Sequence, residues 1–171
     1  MTTRAIILNT VLKKNGDKGV SVGEGSQMLG VNNYMAENNI AVQSKDHSTA
    51  LLFNHTLTGN KVALDAYKKN WRYGGGGTIL VSKSRMEANT NNAAADKHSQ
   101  IQIFDTFMDH SPSKKNIAFI SVDSKEKRAA ADKQLLPEIR RMSPGIARSH
   151  GFFEKEYLKF SKPHFRGARL Q

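Results

Sequence analysis

The sequence predicts an α/β or α+β fold, with a small mixed sheet, an N-terminal hairpin, a βαβ unit and C-terminal helices. Three observations predict it: apolar runs of strand type at residues 78–82 and 116–122, apolar residues at helical spacing between them, and a glycine-containing turn near the N-terminus. At 171 residues the chain is expected to form one α/β domain over residues 1–150. A basic aromatic C-terminal segment or arm over residues 151–171 follows it.

The N-terminal hairpin is predicted over residues 4–22. Residues 5–12 are β-prone, and the NGDKG sequence of residues 15–19 offers the positive-φ positions that a tight turn needs. Val20 and Val22 then resume an alternating pattern. The asparagine-rich stretch that follows predicts a short helix around residues 34–38.

Residues 50–69 fit two structures. Alternating apolar residues on either side of a Thr-Gly-Asn turn at residues 58–60 favour a second hairpin. The same stretch also has helical spacing, at Val62, Asp65, Ala66 and Lys69, with an adjoining apolar face formed by Leu64, Tyr67 and Trp71. The sequence does not decide between them.

A strand, a helix and a second strand are predicted over residues 78–122. The strand at residues 78–82 is followed by a helix over residues 93–110, because Ile101, Phe104, Phe107 and Met108 lie on one helical face. Residues 116–122 form the clearest apolar strand. This order implies a right-handed crossover and a parallel pair of strands. Further helical signal covers residues 125–136, and no internal repeat is recognised in the chain.

Four consecutive glycines, Gly74 to Gly77, stand before the first of these strands. A phosphate-binding glycine loop needs a strand before it and a helix after it, which is the reverse of the order here. The glycines are therefore interpreted as a flexible hinge or a close approach of two backbone segments.

Charge is the strongest functional signal. The chain has 26 Lys and Arg against 15 Asp and Glu, and residues 125–171 hold twelve of these cations against five acidic residues. Clustered cations repel one another unless a partner neutralises them, which indicates nucleic acid or an acidic protein surface. The predicted contact residues are Arg140, Arg141, Arg148, Lys155, Lys159, Lys162, Arg166 and Arg169.

Aromatic residues accompany these cations at the C-terminus. Phe152, Tyr157 and Phe160 are typical of a surface that stacks on unpaired bases. They could equally dock the segment on the core and leave the cations in solvent. Both interpretations are compatible with a basic binding face.

One short motif suggests catalysis. Asp123-Ser124-Lys125 resembles the acidic-x-Lys element at a strand end of metal-dependent nucleases of the restriction-enzyme type, with Asp105 or Asp109 as the upstream carboxylate. Asp123 also forms a helix-capping pair with Glu126, so the two roles stay open.

A metal site is the second chemical hypothesis. His98, Asp105 and Asp109 would share one face of the predicted helix. A solvated polar stripe explains the same pattern. We therefore predict no catalytic residue, no metal site and no cofactor.

The rest of the composition limits the chemistry and the cellular compartment that we expect for the protein. Cysteine is absent, which excludes disulfides, thiolate zinc sites and cysteine nucleophiles. The first apolar run is too short for a signal peptide, and no run is long enough to span a membrane. The expectation is a cytoplasmic, non-enzymatic protein that binds nucleic acid or an acidic partner within a larger ribonucleoprotein-like or virus-like assembly. The alternatives are a Mg-dependent nuclease and a purely structural subunit docked on an acidic protein.

Overall fold

The computed structural model describes residues 3–112, residues 117–120 and Lys133, and it shows a parallel β-solenoid. All strand pairs in this part of the chain are parallel. Strands that follow each other in sequence do not pair. Each pairs instead with the equivalent strand of the coil before or after it, so the chain winds through three sheets in turn.

The strands fall into three sheets. The first sheet contains, in spatial order, β1 (Arg4–Leu8), β4 (Gln27–Val31), β7 (Thr49–Phe53), β10 (Thr78–Ser82), β13 (Gln100–Phe104) and β15 (Ile117–Ile120). The second contains β2 (Val11–Lys13), β5 (Tyr34–Ala36), β8 (Thr56–Thr58), β11 (Arg85–Glu87) and β14 (Phe107–Met108). The third contains β3 (Lys18–Val22), β6 (Ile40–Lys45), β9 (Val62–Tyr67) and β12 (Asn91–Ala95).

The register of the first sheet defines the length of a coil. Arg4 lies beside Gln27, and Gln27 lies beside Thr49, so the first two coils take 23 and 22 residues. The third coil runs from Thr49 to its partner Thr78 and takes 29 residues, and the fourth returns to 22 at Gln100. Coil 3 therefore contains seven additional residues.

Left-handed residues turn the chain at the corners. The first corner, between the first and second sheets, has one positive-φ residue per coil, with φ of 39–55°: Asn9, Asn32, Asn54, Lys83 and Asp105. The second corner, between the second and third sheets, has Lys14, Glu37, Gly59 and Ala88 at φ of 54–63°. Asn and Gly adopt this conformation more readily than other residues, which explains the asparagine at three of the five first-corner positions.

Aliphatic side chains stack along the interior, one from each coil. On the first sheet the stack is Met28, Ala50, Ile79 and Ile101; on the second it is Met35, Leu57 and Met86; on the third it is Val42, Leu64 and Ala93. All of these side chains are at most 2% exposed. Burying each of the larger ones stabilises the fold by about 1.5–3 kcal/mol.

The first sheet is apolar on both faces. Leu29, Leu51 and Leu80 are neighbours in register on the face opposite to the interior stack, and they are also buried. Its strands consequently appear in sequence as continuous apolar runs rather than as alternating ones.

An asparagine ladder occupies the second corner: Asn15, Asn38, Asn60 and Asn89. The Nδ2 atoms of Asn15, Asn38 and Asn60 lie 2.7, 2.9 and 2.9 Å from the Oδ1 atom of the next member. The same oxygen of Asn60 accepts the backbone N–H of Asn38 at 2.9 Å, and Asn60 also donates to the carbonyl of Met35 at 3.1 Å. Each coil thereby satisfies the buried polar groups of the coil beside it.

A second ladder runs along the first corner. The backbone N–H groups of Thr10, Asn33, His55 and Ser84 each donate to the side chain of the equivalent residue on the next coil, at 2.9–3.2 Å. The acceptors are, in the same order, the side chains of Asn33, His55, Ser84 and Thr106. Different side chains can occupy this position because each needs only one acceptor atom.

His55 is the one member of this ladder with an ionisable side chain. Burial lowers the pKa of its ring to about 4, and the backbone of Asn33 and Gly30 opposes only part of that shift. A Cβ atom at Gly30 would lie 2.7 Å from the Nε2 atom, so the ring requires glycine there. The ring is therefore buried and neutral.

The predicted α/β or α+β fold with a mixed sheet is wrong. Residues 4–22 form β1, β2 and β3 of three different sheets and make no hairpin, because each strand pairs with the following coil. Residues 34–38 include β5 instead of a short helix. Over residues 50–69 the strands exist, but they pair across coils rather than as a hairpin, and the helical alternative is wrong.

The predicted βαβ unit is also wrong. Its two strands are confirmed, as β10 and β15. The region predicted as a helix, residues 93–110, instead contains the end of β12 and all of β13 and β14. The helical spacing of Ile101, Phe104 and Phe107 arises because two strands meet at a corner. The helical signal at residues 125–136, the C-terminal helices and the arm at residues 151–171 lie outside the described residues, apart from Lys133.

Candidate binding surface at the third corner

The additional residues of coil 3 lie at the third corner, where the third sheet returns to the first. The carbonyl of Gly76 accepts the N–H of His47 at 2.9 Å, and the N–H of Gly76 donates to the carbonyl of His98 at 3.0 Å. Gly76 therefore occupies the position of these two histidines on the neighbouring coils. Residues 69–75 are the seven extra residues, and we call them the insertion loop.

Two carboxylates hold the start of the insertion loop. Oδ1 of Asp46 accepts the backbone N–H groups of Lys69 and Asn70 at 2.8 and 2.6 Å. Oδ2 of Asp96, on the other side, accepts the N–H of Lys68 at 2.9 Å. The loop is thus fixed by the coils that precede and follow it.

The tip of the insertion loop is a single turn of 3₁₀ helix, Trp71–Tyr73. The side chain of Asn70 caps this turn by accepting the N–H of Arg72 at 3.0 Å. Gly74 ends it at φ 73°, with its N–H directed to the carbonyl of Trp71 at 3.2 Å. The tip consequently has a defined backbone rather than a set of alternative ones.

The four glycines return the chain to the solenoid. A Cβ atom at Gly77 would overlap the carbonyl of Ser44, and one at Gly76 would overlap the hydroxyl of Ser99. Side chains are therefore excluded at both positions by neighbouring coils. The predicted close approach of backbone segments is confirmed at these two glycines.

The tip presents an indole to solvent. Trp71 is 79% exposed, and it is the single tryptophan of the chain. The guanidinium carbon of Arg72 lies 5.8 Å from the centre of the indole ring, and Arg72 and Lys69 are also exposed. Lys97 and His98, exposed on the next coil, lie beside the Gly76 end of the loop.

The nearby acidic groups do not neutralise these cations by ion pairing. Among the residues that the structure describes, the ion pairs involve Lys14, Lys18, Lys83, Arg85 and His110, and none includes a cation of the third corner. The carboxylates of Asp46 and Asp96 are occupied by backbone N–H groups, as described above. The corner therefore combines an exposed aromatic ring with cations that have no paired carboxylate in the described coils.

Hydrogen bonding keeps Asp96 ionised. Burial alone would raise the pKa of its carboxyl group, but hydrogen bonds from the backbone of Lys68, the side chain of Ser99 and the backbone of His98 outweigh it and lower the pKa. The negative charge of Asp96 thus serves to anchor the loop.

The residues predicted from sequence as the basic contact surface lie outside the described residues: Arg140, Arg141, Arg148, Lys155, Lys159, Lys162, Arg166 and Arg169. Asp123 and Lys125, from the nuclease comparison, also lie outside them.

The predicted helical face of His98, Asp105 and Asp109 does not exist. These residues lie at three different corners, and Asp105 forms an ion pair of 2.8 Å with the buried Lys83. Asp109 accepts hydrogen bonds from the backbone of Ala88 and the side chain of Asn92. Within residues 3–112 and 117–120, no group of three or more potential ligands could hold a metal ion.

The insertion loop was not among the candidates predicted from sequence. The signal that could have found it is the spacing of the asparagine ladder, which is 23, 22 and then 29 residues for Asn15, Asn38, Asn60 and Asn89. A lengthened interval in a repeat marks an insertion, and insertions in solenoids lie on surface loops that often bind partners.

No helix in the described part of the chain is long and apolar enough to cross a lipid bilayer. No protein-family model, no curated protein and no solved structure matches this chain.

Proposed function

We propose that this chain acts by binding rather than by catalysis, as a β-solenoid scaffold that presents basic surfaces to nucleic acid within a larger assembly in the cytoplasm. One observation supports this proposal above the others: positive charge is distributed unevenly between the coils up to Pro112 and residues 113–171. Up to Pro112 there are 12 Lys and Arg against nine acidic residues, whereas residues 113–171 contain 14 against six.

The local pairing of charges points the same way. Four of the 12 cations of the coils, Lys14, Lys18, Lys83 and Arg85, lie within 4 Å of a carboxylate oxygen in the described residues. The third-corner cations have no such partner there. Unneutralised cations attract phosphate groups, because the release of condensed counterions drives association.

The test is the salt dependence of binding. Affinity of the full chain for a labelled single-stranded 30-mer, measured by fluorescence anisotropy, is expected to fall about 100-fold between 50 and 200 mM salt if about five phosphates are contacted. A variant with Lys155, Lys159, Lys162 and Arg166 changed to Gln is expected to bind more weakly and with a shallower salt slope. Lys14→Gln, at a cation already paired with Glu37, serves as the matched control.

Affinity that barely responds to salt, or a quadruple variant that binds as tightly as the natural chain, contradicts the proposal. The mass of the complex distinguishes the proposal from the alternative of a purely structural subunit. A complex from cells that keeps its mass after nuclease digestion is held together by protein alone, whereas one that loses mass contains nucleic acid.

A further inference from the structure

We infer that the insertion loop is a stacking site for unpaired bases of single-stranded nucleic acid, with Trp71 as the platform. This rests on the proposed function and specifies one site and one class of partner for it. The inference begins with the exposure of the indole. Tryptophan gains more than most residues from removal from water, yet Trp71 is 79% exposed on a solenoid whose interior stacks are closed.

The loop is organised before any partner arrives. Its backbone is held by Asp46, by Asp96 and by the Asn70 cap, so presenting the indole requires no further ordering of the chain. Preorganisation matters because ordering a mobile segment during binding costs free energy and so lowers the affinity. A large aromatic ring on a fixed tip is the arrangement that a stacking platform requires.

The charges around the ring fit a phosphate backbone on either side of a stacked base. Arg72 lies against the indole, and Lys69 precedes it in the loop. Lys97 is exposed on the following coil, beside the point where Gly76 rejoins the solenoid. Cations flanking an aromatic face are the combination by which proteins bind single strands without reading base sequence.

The exposure of the ring favours single strands over duplexes. Bases within a duplex are already stacked on one another, and a protruding ring reaches them only by unstacking a base step at a cost of a few kcal/mol. An unpaired base offers its face without that cost. Charge alone would not distinguish nucleic acid from a sulfated polysaccharide, so the ring is the discriminating element.

The test exploits the single tryptophan of the chain. Indole fluorescence of the full protein is followed during titration with oligo(dT), with a duplex of equal length and with heparin. Quenching that saturates with oligo(dT), and is much smaller with the duplex and with heparin at the same degree of binding, is the expected result. Equal quenching by heparin identifies a general polyanion site and overturns the inference.

Variants supply the second readout, by anisotropy of a labelled oligo(dT). Trp71→Ala is expected to weaken binding about 5- to 150-fold, while Trp71→Phe retains most of the affinity. Phe107→Ala is the matched control, since Phe107 is 45% exposed and has the Arg85 guanidinium carbon 4.4 Å from its ring centre. Its affinity is expected to change less than twofold.

The outcomes separate the two proposals. If Trp71→Ala binds oligo(dT) as the natural chain does, with unchanged circular dichroism and salt-dependent affinity, the stacking site is wrong and the proposed function stands. If no polyanion binds in a salt-dependent way, both are wrong. If Phe107→Ala loses as much affinity as Trp71→Ala, the effect is not specific to the loop and the inference fails.

Discussion

At the second corner the asparagine ladder joins one coil to the next through side-chain hydrogen bonds, whereas at the third corner coil 3 adds seven residues and exposes an indole. Both corners connect the same kind of parallel strands. At the second, the amide groups of the ladder hold one coil on the next. At the third, Asp46 and Asp96 support residues that project away from the stack. The comparison distinguishes residues that maintain the solenoid from residues that are free to bind something else.

The largest effect is expected from the middle of the ladder. Asn60→Ala removes the acceptor of the buried Asn38 N–H and a donor to the Met35 carbonyl, and each buried group left unpaired costs about 1–3 kcal/mol. With the cavity added, we expect a loss of about 3–5 kcal/mol in the free energy of unfolding, measured by urea denaturation. Asn9→Gly, at an exposed residue with φ 50°, should lose less than about 1 kcal/mol. Equal losses would show that burial does not set the cost of removing an asparagine side chain.

A second effect is expected from pH, through His55. Its pKa is about 4 in the fold and about 6.5 in the unfolded chain, so the unfolded state binds a proton first as the pH falls. Above pH 6.5 this group does not change the free energy of unfolding. Between pH 6.5 and 4 it lowers that free energy by about 3 kcal/mol in total, and below pH 4 there is no further loss. Urea midpoints across this range provide the measurement.

The control for the pH effect is His55→Asn, because Asn33 already fills the equivalent position one coil earlier. The variant should lose the His55 part of the pH dependence and keep whatever the carboxyl groups contribute. A midpoint that falls equally in both proteins between pH 6.5 and 4 would place the sensitivity elsewhere.

The smallest effect on stability is expected from removing the insertion loop. Deleting residues 69–75 joins Lys68 to Gly76 and gives coil 3 the 22 residues of its neighbours, so we expect a change within about 1 kcal/mol, as for other surface loops. Oligo(dT) binding should weaken as in Trp71→Ala. Deleting seven residues from the second coil, 34–40, removes β5 and should prevent folding. A loop deletion that also unfolds the chain would mean that the loop maintains the solenoid.

Part of this fold was predictable from local sequence. The strand at β10 was predicted with its observed ends, because Ile79, Leu80 and Val81 form a continuous apolar run on a sheet that is buried on both faces. The strand at β15 was predicted from a continuous apolar run as well. These local signals do not reveal which strand is the partner, and in a solenoid the partner lies a whole coil away.

The helix predicted over residues 93–110 shows why the rest failed. Phe104 ends β13 and Phe107 begins β14, with the left-handed Asp105 between them, so three residues of separation reproduced a helical interval. The period of the ladder was present in the sequence, but the added residues in coil 3 interrupted it. At the candidate site, the four glycines were predicted to be a flexible hinge or a close approach, and the close approach is confirmed at Gly76 and Gly77. Trp71 was predicted on the apolar face of the helical alternative, which is wrong, and its exposure depends on the insertion.

The return of Gly76 into register has a consequence for engineering. Because each coil contacts only its neighbours, a segment that leaves and rejoins the stack between Lys68 and Gly76 changes no strand pairing on either side. The third corner is therefore a natural graft point, where foreign peptides of different lengths could be displayed on a rigid rod without redesigning the rod.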